Sequence, residues 1–262
     1  EAAPALLEAA DLLAKSSHES ESEALRTRYL ERFPGDTDAA FEIIGARAEK
    51  ELSGVKPGED LTKLPALAQY RKLTAEHPEQ ASPKILANVS YLEGEEARQA
   101  YEAAKLTQPL APSLAAKKAL LETVLQDYRQ CAEAAVEPWS IAGAYRIGES
   151  LVTFGEALGQ SERPADMSAE DLAAYEEVIE NQKWEFFDRG EQAWTELLKS
   201  ANPSTEEGKK WMEQTRESLW PRIARRFLHR PELEYPLLSA EPPKKKSTPE
   251  TAAEGSGNGS GS

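Results

Sequence analysis

The chain has 262 residues, a formal net charge of -15 and a pI near 4.8, so neither a nucleic-acid backbone nor an anionic membrane surface suits it as a partner. Hydrophobic residues make up 40% of it, ample for a core, at a mean hydropathy of -0.61. No stretch approaches the roughly 20 consecutive apolar residues that span a bilayer. Alanine, leucine, glutamate, lysine, arginine and glutamine dominate, while valine and isoleucine are scarce, and this favours helix nearly throughout.

In chain order, Pro4 to Lys15 reads as a short helix with Leu6, Ala9, Ala10 and Leu13 on one side. A polar break, Ser16 to Ser20, leads to a second helix through Arg32, halted by Phe33-Pro34-Gly35-Asp36. Leu25, Tyr29 and Phe33 supply one apolar stripe, and Ala40, Ile44 and Ala48 supply its partner after the turn. Beyond a loop at Ser53 to Gly58 the pattern returns weakly, with Leu67, Tyr70, Leu73 and His77-Pro78. Ser82-Pro83 then caps a helix whose stripe is Ile85, Leu86, Val89 and Leu92, and Gly94 reads as its terminator. A short helix from Glu95 to Thr107 is expected next. Another is expected from Pro112-Ser113 to Ala135, through Leu114, Leu121, Val124, Leu125 and Tyr128. Within it lies the single cysteine, Cys131, so no internal disulfide can form. A buried, inert thiol and an intermolecular link are the two readings. At least two degenerate repeats are thus expected in a first domain, 1–108.

The organising stretch follows, from Pro138 to Ala201: a long helix, a turn and a second long helix. The first opens with proline in its first turn and carries Ile141, Ala144, Tyr145, Gly148, Leu151, Val152, Gly155 and Leu158 on one face. A glycine weakens an isolated helix by roughly 1 kcal/mol against alanine. Gly148 and Gly155 on that stripe therefore imply close approach of another backbone. After Gly159 to Pro164, the second helix opens at Ser168 with Asp171 three residues on, close to a capping box. Its stripe is Leu172, Tyr175, Ile179, Phe186, Gly190, Trp194, Leu197 and Ala201, and it stops before Asn202-Pro203. Two such helices form a helical hairpin. Ser204 to Leu219, with Trp211, Thr215 and Leu219, reads as a closing helix. Pro221 to Arg230 is a basic amphipathic turn or two, and an extended ELEYPLL follows. These complete a second domain, 109–238. From there to residue 262, proline, lysine, threonine and finally glycine/serine composition predicts a disordered tail.

Catalytic motifs are missing: there is no HExxH, GxSxG, phosphate loop, GxGxxG or CxxC. His18, His77 and His229 lie on separate elements without ligand spacing, and neither a metal nor a cofactor is expected. Paired glutamates such as Glu176-Glu177 and Glu206-Glu207 read as solvated faces. Asn88-Val89-Ser90 and Asn258-Gly259-Ser260 match a glycosylation acceptor, but lie in a helix and in a tail. The partner-binding candidates are Trp184, Phe187, Trp194, Trp211, Arg222, Arg225, Arg226 and Arg230. Trp184 and Phe187 are expected to point away from the Ile179–Phe186–Gly190 stripe. The aromatics either pack against neighbouring helices or line a groove for a partner. The arginines either neutralise the acidic body or dock an acidic partner or polyanionic polymer.

Gly148 with Leu151, and Gly190, Trp194 and Leu197 followed by Pro203, resemble the small–large–small spacing of the tetratricopeptide repeat. Leu25 to Glu49 likewise resembles the helix–turn–helix joint of envelope-type members of that family. Both long helices run past the turn of an ordinary repeat of about 34 residues. In this elongation the stretch from Trp139 to Glu149, the Leu172 to Ala193 helix, Lys210-Trp211 and Arg230-Pro231…Tyr235-Pro236 are similar to tetratricopeptide proteins of myxobacterial cell envelopes, including a periplasmic component of gliding-motility machinery. The resemblance covers roughly 138–237. It implies an all-α, tetratricopeptide-like solenoid with an elongated C-terminal hairpin. It also implies a non-enzymatic scaffold binding other proteins of an envelope assembly, neither transmembrane nor bound to nucleic acid. Periplasmic or peripheral envelope residence is the expected location, with the cytoplasm as the alternative. The chain begins at Glu1 without methionine, so an upstream segment, any secretory signal included, is expected to have been removed. The competing expectation is an all-α module or lytic enzyme that engages peptidoglycan-like polymers through glutamates and the tryptophans Trp184 and Trp194. A third is a cytoplasmic regulatory adaptor.

Overall fold

Segments rich in alanine, leucine and glutamate, separated by proline, glycine and serine breaks, fold as nine α-helices among the described residues 3–228 of a computed structural model. They are α1 (Ala3–Lys15), α2 (Glu19–Arg32), α3 (Thr37–Ser53), α4 (Pro65–Glu76), α5 (Pro83–Ala103), α6 (Leu110–Glu133), α7 (Trp139–Gly159), α8 (Ala169–Ser200) and α9 (Glu206–Leu228). Short 3-10 turns at Leu61–Lys63 and Pro78–Gln80 precede α4 and α5. No strand occurs among the described residues, and none of their helices is long and apolar enough to cross a membrane.

Carboxylates and hydroxyls satisfy the N–H groups left open at the helix starts. Asp36 accepts from the Ala39 N–H at 3.1 Å to start α3. Ser168 accepts from Asp171 N–H at 3.1 Å to start α8. Two of these caps are long-range and so fix helices relative to one another. Glu51 of α3 accepts from Ala66 and Leu67 N–H at 3.0 Å, holding the head of α4. Glu137 accepts from Ser204 and Thr205 N–H at 2.9 Å, holding the approach to α9 beside the α6–α7 joint. These bonds, that of Thr205 foremost, keep the Glu137 carboxyl below its ordinary range.

Neighbours in sequence are neighbours in space: α1 packs on α2, α3 on α4, α5 on α6, α6 on α7 and α7 on α8. One apolar cluster runs from Ile44, Ala48 and Leu52 of α3 through Tyr70 and Tyr101 to Phe154 and Leu158 of α7. It therefore continues without a break across residue 108. A smaller cluster of Tyr29, Ala39 and Ile43 gathers Leu6 and Leu7 of α1. At the far end of α5 the Lys117 ammonium, 2% exposed, donates to the Tyr101 and Ala104 carbonyls at 2.7 Å. It neutralises the negative end of the helix, and burial lowers its pKa. The chain divides into Glu1–Arg222, which holds all of this packing, and Ile223–Ser262, of which the last turns of α9 are described.

The α7–α8 hairpin forms as its glycines imply. A Cβ at Gly190 would lie 2.7 Å from Val152 Cγ2 and 2.8 Å from the Gly148 carbonyl, and one at Gly155 2.8 Å from the Phe187 ring. A Cβ at Gly148 would fall on the Trp194 indole. Between the helices, Arg163 donates to Gly159 O at 3.1 Å and to the Glu176 carboxylate at 2.6 and 2.9 Å, clamping the turn to α8.

Four sequence expectations need correction. Gly94 does not terminate a helix, because α5 continues to Ala103 with no second helix from Glu95. Its missing side chain makes room for the Tyr128 ring, 2.6 Å from where a Cβ would stand. The next helix, α6, starts at Leu110, ahead of Pro112, which its first turn tolerates. The closing helix does not end at Leu219 but carries Pro221 inside it to Leu228. Phe187 does not point away from the hairpin. Its ring is buried under Gly155, while Phe186 flanks the other side of the stripe, 4.4 Å from the Phe154 ring.

Gly190→Ala is expected to destabilise the chain by about 1–3 kcal/mol in urea unfolding followed by circular dichroism. Gly35→Ala, where a Cβ meets open space, is expected to stay within about 0.5 kcal/mol of wild type. Equal effects at the two positions would refute the close crossing.

Candidate functional site

Beneath the hairpin, aromatic rings enclose a charged cluster that ties α5, α6, α7 and α9 together. Trp194 of α8 stacks on Tyr145 of α7, centroids 5.9 Å apart, and its indole N–H donates to the Tyr145 carbonyl at 2.9 Å. Trp211 of α9 packs 5.3 Å from the Tyr145 ring on its way to Tyr91. Inside this ring of aromatics Glu95, 3% exposed, faces Arg146, 13% exposed. Arg146 Nε stands 2.7 Å from Glu95 Oε1, close enough for an ion pair but without the alignment of a hydrogen bond. Glu149 lies 2.5 Å from Arg146 Nη1, Arg98 lies 3.1 Å from Glu95, and the Tyr128 hydroxyl donates to Glu95 at 2.8 Å. Burial opposes the Arg146 charge, yet Glu149 and Glu95 outweigh it and its pKa rises. Burial, then the Glu95 charge, pushes the Tyr91 hydroxyl up to about 12. With each charge answered by another, the cluster holds helices in register rather than presenting a reactive group.

The sequence candidates separate into several environments. Trp194, 2% exposed, and the half-buried Trp211 belong to this interior cluster. Trp184, Phe187 and Arg222 come together on the other flank of α8. There Trp184, 44% exposed, meets Phe187 edge-on at 5.5 Å and donates to Glu180 at 2.9 Å. Arg222 lies 4.8 Å over the Phe187 ring and pairs with Glu156 at 2.6 Å. Arg225 is exposed, the Arg226 side chain is not described, and Arg230 lies outside the described residues. Trp220, 70% exposed on α9, was not among the candidates. Among the described residues no group of three or more histidines, cysteines or acids is placed to hold a metal ion.

The arrangement best suited to hold another molecule is a groove between α6 and α8, about 620 Å³, lined by Lys118, Leu121, Glu122, Leu125, Arg129, Gln182, Glu185, Phe186 and Arg189. Both helices pack on α7, and Phe154 of α7 supports the Phe186 ring. Leu121 and Leu125 are buried and Phe186 half-buried, giving an apolar floor, while the charged residues stand exposed at the rim. Lys118, Arg129, Glu122 and Glu185 make no ion pair with a described residue. Arg189 lies 5.4 Å over the Phe186 ring. Leu121, Leu125 and Phe186 of this set are stripe residues in the sequence, whereas its charged members carry no such signal. Charged residues two turns apart on two helices separated by a third carry no local pattern that marks them.

No known family model, curated protein or solved structure matches this chain. The fold by itself defines an all-helical protein built from packed helix pairs. The tetratricopeptide likeness rests on the sequence residues that carry it.

Two measurements check the interior. Glu95→Gln is expected to cost about 1–3 kcal/mol in urea unfolding, because Arg146 keeps Glu149 but loses its buried partner, and the cost is expected to be smaller when Arg146→Met is already present. Strictly additive losses would refute the pairing. Cys131, fully buried with Sγ 2.9 Å from the Trp139 carbonyl, has its pKa pushed by burial from 9.0 up to about 12. The folded state keeps a proton that the unfolded state releases above pH 9.0, so this stabilisation is complete below that pH and is lost as pH rises towards about 12. The stability difference between wild type and Cys131→Ala is expected to fall across that window by at most about 1.4 kcal/mol per pH unit. A flat difference would show that the thiol is not protected.

Proposed function

We propose that this chain is a non-enzymatic scaffold that holds a segment of another protein in the groove between α6 and α8. The observation that carries the reading is the apolar floor of Leu121, Leu125 and Phe186 ringed by charges, of which Lys118, Glu122, Arg129 and Glu185 form no ion pair with a described residue. Some cations elsewhere are neutralised nearby, as Arg163 is by Glu176 and Lys84 by Glu49. A rim of charge around buried apolar side chains matches the polar rim and apolar centre of protein interfaces. The sequence likeness to envelope tetratricopeptide proteins supports placing the scaffold in a cell-envelope assembly, with motility as the process to examine first. The polymer-binding alternative relied on Trp184 and Trp194 together, and Trp194 is 2% exposed.

A photo-crosslinking amino acid at Gln182 or Glu122 is expected to trap one protein, identified by mass spectrometry, from cells that make this chain. The same group at the exposed Glu31 of α2 is expected not to trap it. Capture equally from both places, or from neither, would sink the groove as the binding site.

A further inference from the structure

The groove between α6 and α8 also restricts the form of its occupant, a restriction that rests on the scaffold reading above. Its walls are helices whose backbone donors and acceptors are spent internally. An extended segment laid there finds no sheet edge, and its own N–H and C=O groups would be covered without partners. Grooves for polyproline segments are built on several aromatic ridges, whereas Phe186 is the one aromatic in this lining. A helix, by contrast, brings its backbone hydrogen bonds with it.

The dimensions agree. Packed helix axes lie about 8–10 Å apart, so the valley between two helices resting on a third admits one more cylinder about 10 Å wide. Lys118 to Arg129 spans about 16 Å along α6, or three helical turns, enough for apolar anchors at i, i+3 or i+4, and i+7. The charges at the rim are three cations, Lys118, Arg129 and Arg189, against two carboxylates, Glu122 and Glu185. The local sum is 3 − 2 = +1 on a chain of net charge -15, which favours an occupant with carboxylates in excess.

We propose that the groove binds one amphipathic α-helix of a partner protein, its apolar stripe seated on Leu121, Leu125 and Phe186 and its flanks richer in carboxylates than in cations. The probe is a synthetic peptide about four turns long, with leucines in an i, i+3/i+4, i+7 stripe and glutamates flanking it, titrated against the full chain by fluorescence anisotropy. It is expected to bind and to gain helicity on binding. A scrambled peptide of the same composition, and one with a central proline, are each expected to bind at least about tenfold more weakly. Lysine-flanked peptide is expected to bind more weakly than glutamate-flanked peptide to wild type. That preference is expected to reverse on the double variant Lys118→Glu, Arg129→Glu, whose positions are exposed and away from the core.

Scrambled or proline-bearing peptides binding as well as the stripe peptide would overturn the helical occupant. So would a flank preference unchanged in the double variant. If crosslinks form from Gln182 while every helical peptide fails, the helix is refuted and the scaffold reading stands. If neither crosslinks nor peptides engage the groove, both fall.

Discussion

The contact on which the molecule most depends is the near-touching of two helix backbones at Gly148 and Gly190. The Gly148 carbonyl lies 2.8 Å from the place a Gly190 Cβ would occupy. Nothing but glycine fits both sides of that crossing, and the helical cost of two glycines, about 1 kcal/mol each, is offset by what the approach permits. With the backbones so close, Trp194 reaches across to donate to the Tyr145 carbonyl while stacking on its ring. Phe187 sinks beneath Gly155 in the same way. The hairpin is therefore a rigid pair, and α6, which also packs on α7, is held at a fixed distance from α8. The groove owes its width to this spacing.

A second constraint ties the hairpin to other helices. The Glu95–Arg146 pair joins α5 to α7, Tyr128 adds α6, and the cation–π approach of Arg146 to Trp211 at 5.2 Å adds α9. A buried ion pair is weak evidence for net stability, since hydrophobic replacements can do as well. Its directional demands are stricter than those of apolar packing, however. Sliding α5 by one residue against α7 would separate Glu95 from Arg146 and leave each with only the partner on its own helix, Arg98 or Glu149. The cluster thus selects one register among several that leucine and alanine contacts would tolerate, much as a polar residue fixes register in a helical bundle.

Much of the helical frame was legible because its signals are local. Pro83 and Pro138 mark helix starts, Ser168 caps α8, and the chain leaves α8 just ahead of Pro203, all read from single residues whose backbone chemistry admits few alternatives. The close crossing was legible too, since glycine inside an otherwise strong helical stripe needs a compensation. Gly94 shows the limit of that reasoning. Terminator and packing glycine look identical in sequence, and only the Tyr128 ring from a helix thirty-odd residues later decides between them. Phe186 and Phe187 show another limit: each lies at an edge of the α8 stripe, and which is buried depends on Gly155 in the facing helix. The charged groups escaped altogether. Glu95 and Arg146 look in sequence like any other members of a chain so rich in both types, and burial is a property of four helices at once.

The same reasoning explains why the groove was not foreseen although the aromatic candidates beside it were. Tryptophan and phenylalanine advertise themselves by type, but their size also makes them the first residues drawn into a core, as Trp194 and Phe187 were. A binding surface on a rigid helical frame is more readily made at the margin of the core: the outer edges of apolar stripes such as Leu121, Leu125 and Phe186, and charges that form no ion pair with a described residue. In this chain those edges and charges meet where α6 and α8 stand apart on α7. Because α7 is locked to α8 by its glycines, a partner entering the groove meets a preformed surface and loses little free energy in ordering it. Rigidity achieved by glycine crossing and buried charge is thus what makes an otherwise unremarkable set of surface side chains able to select a partner.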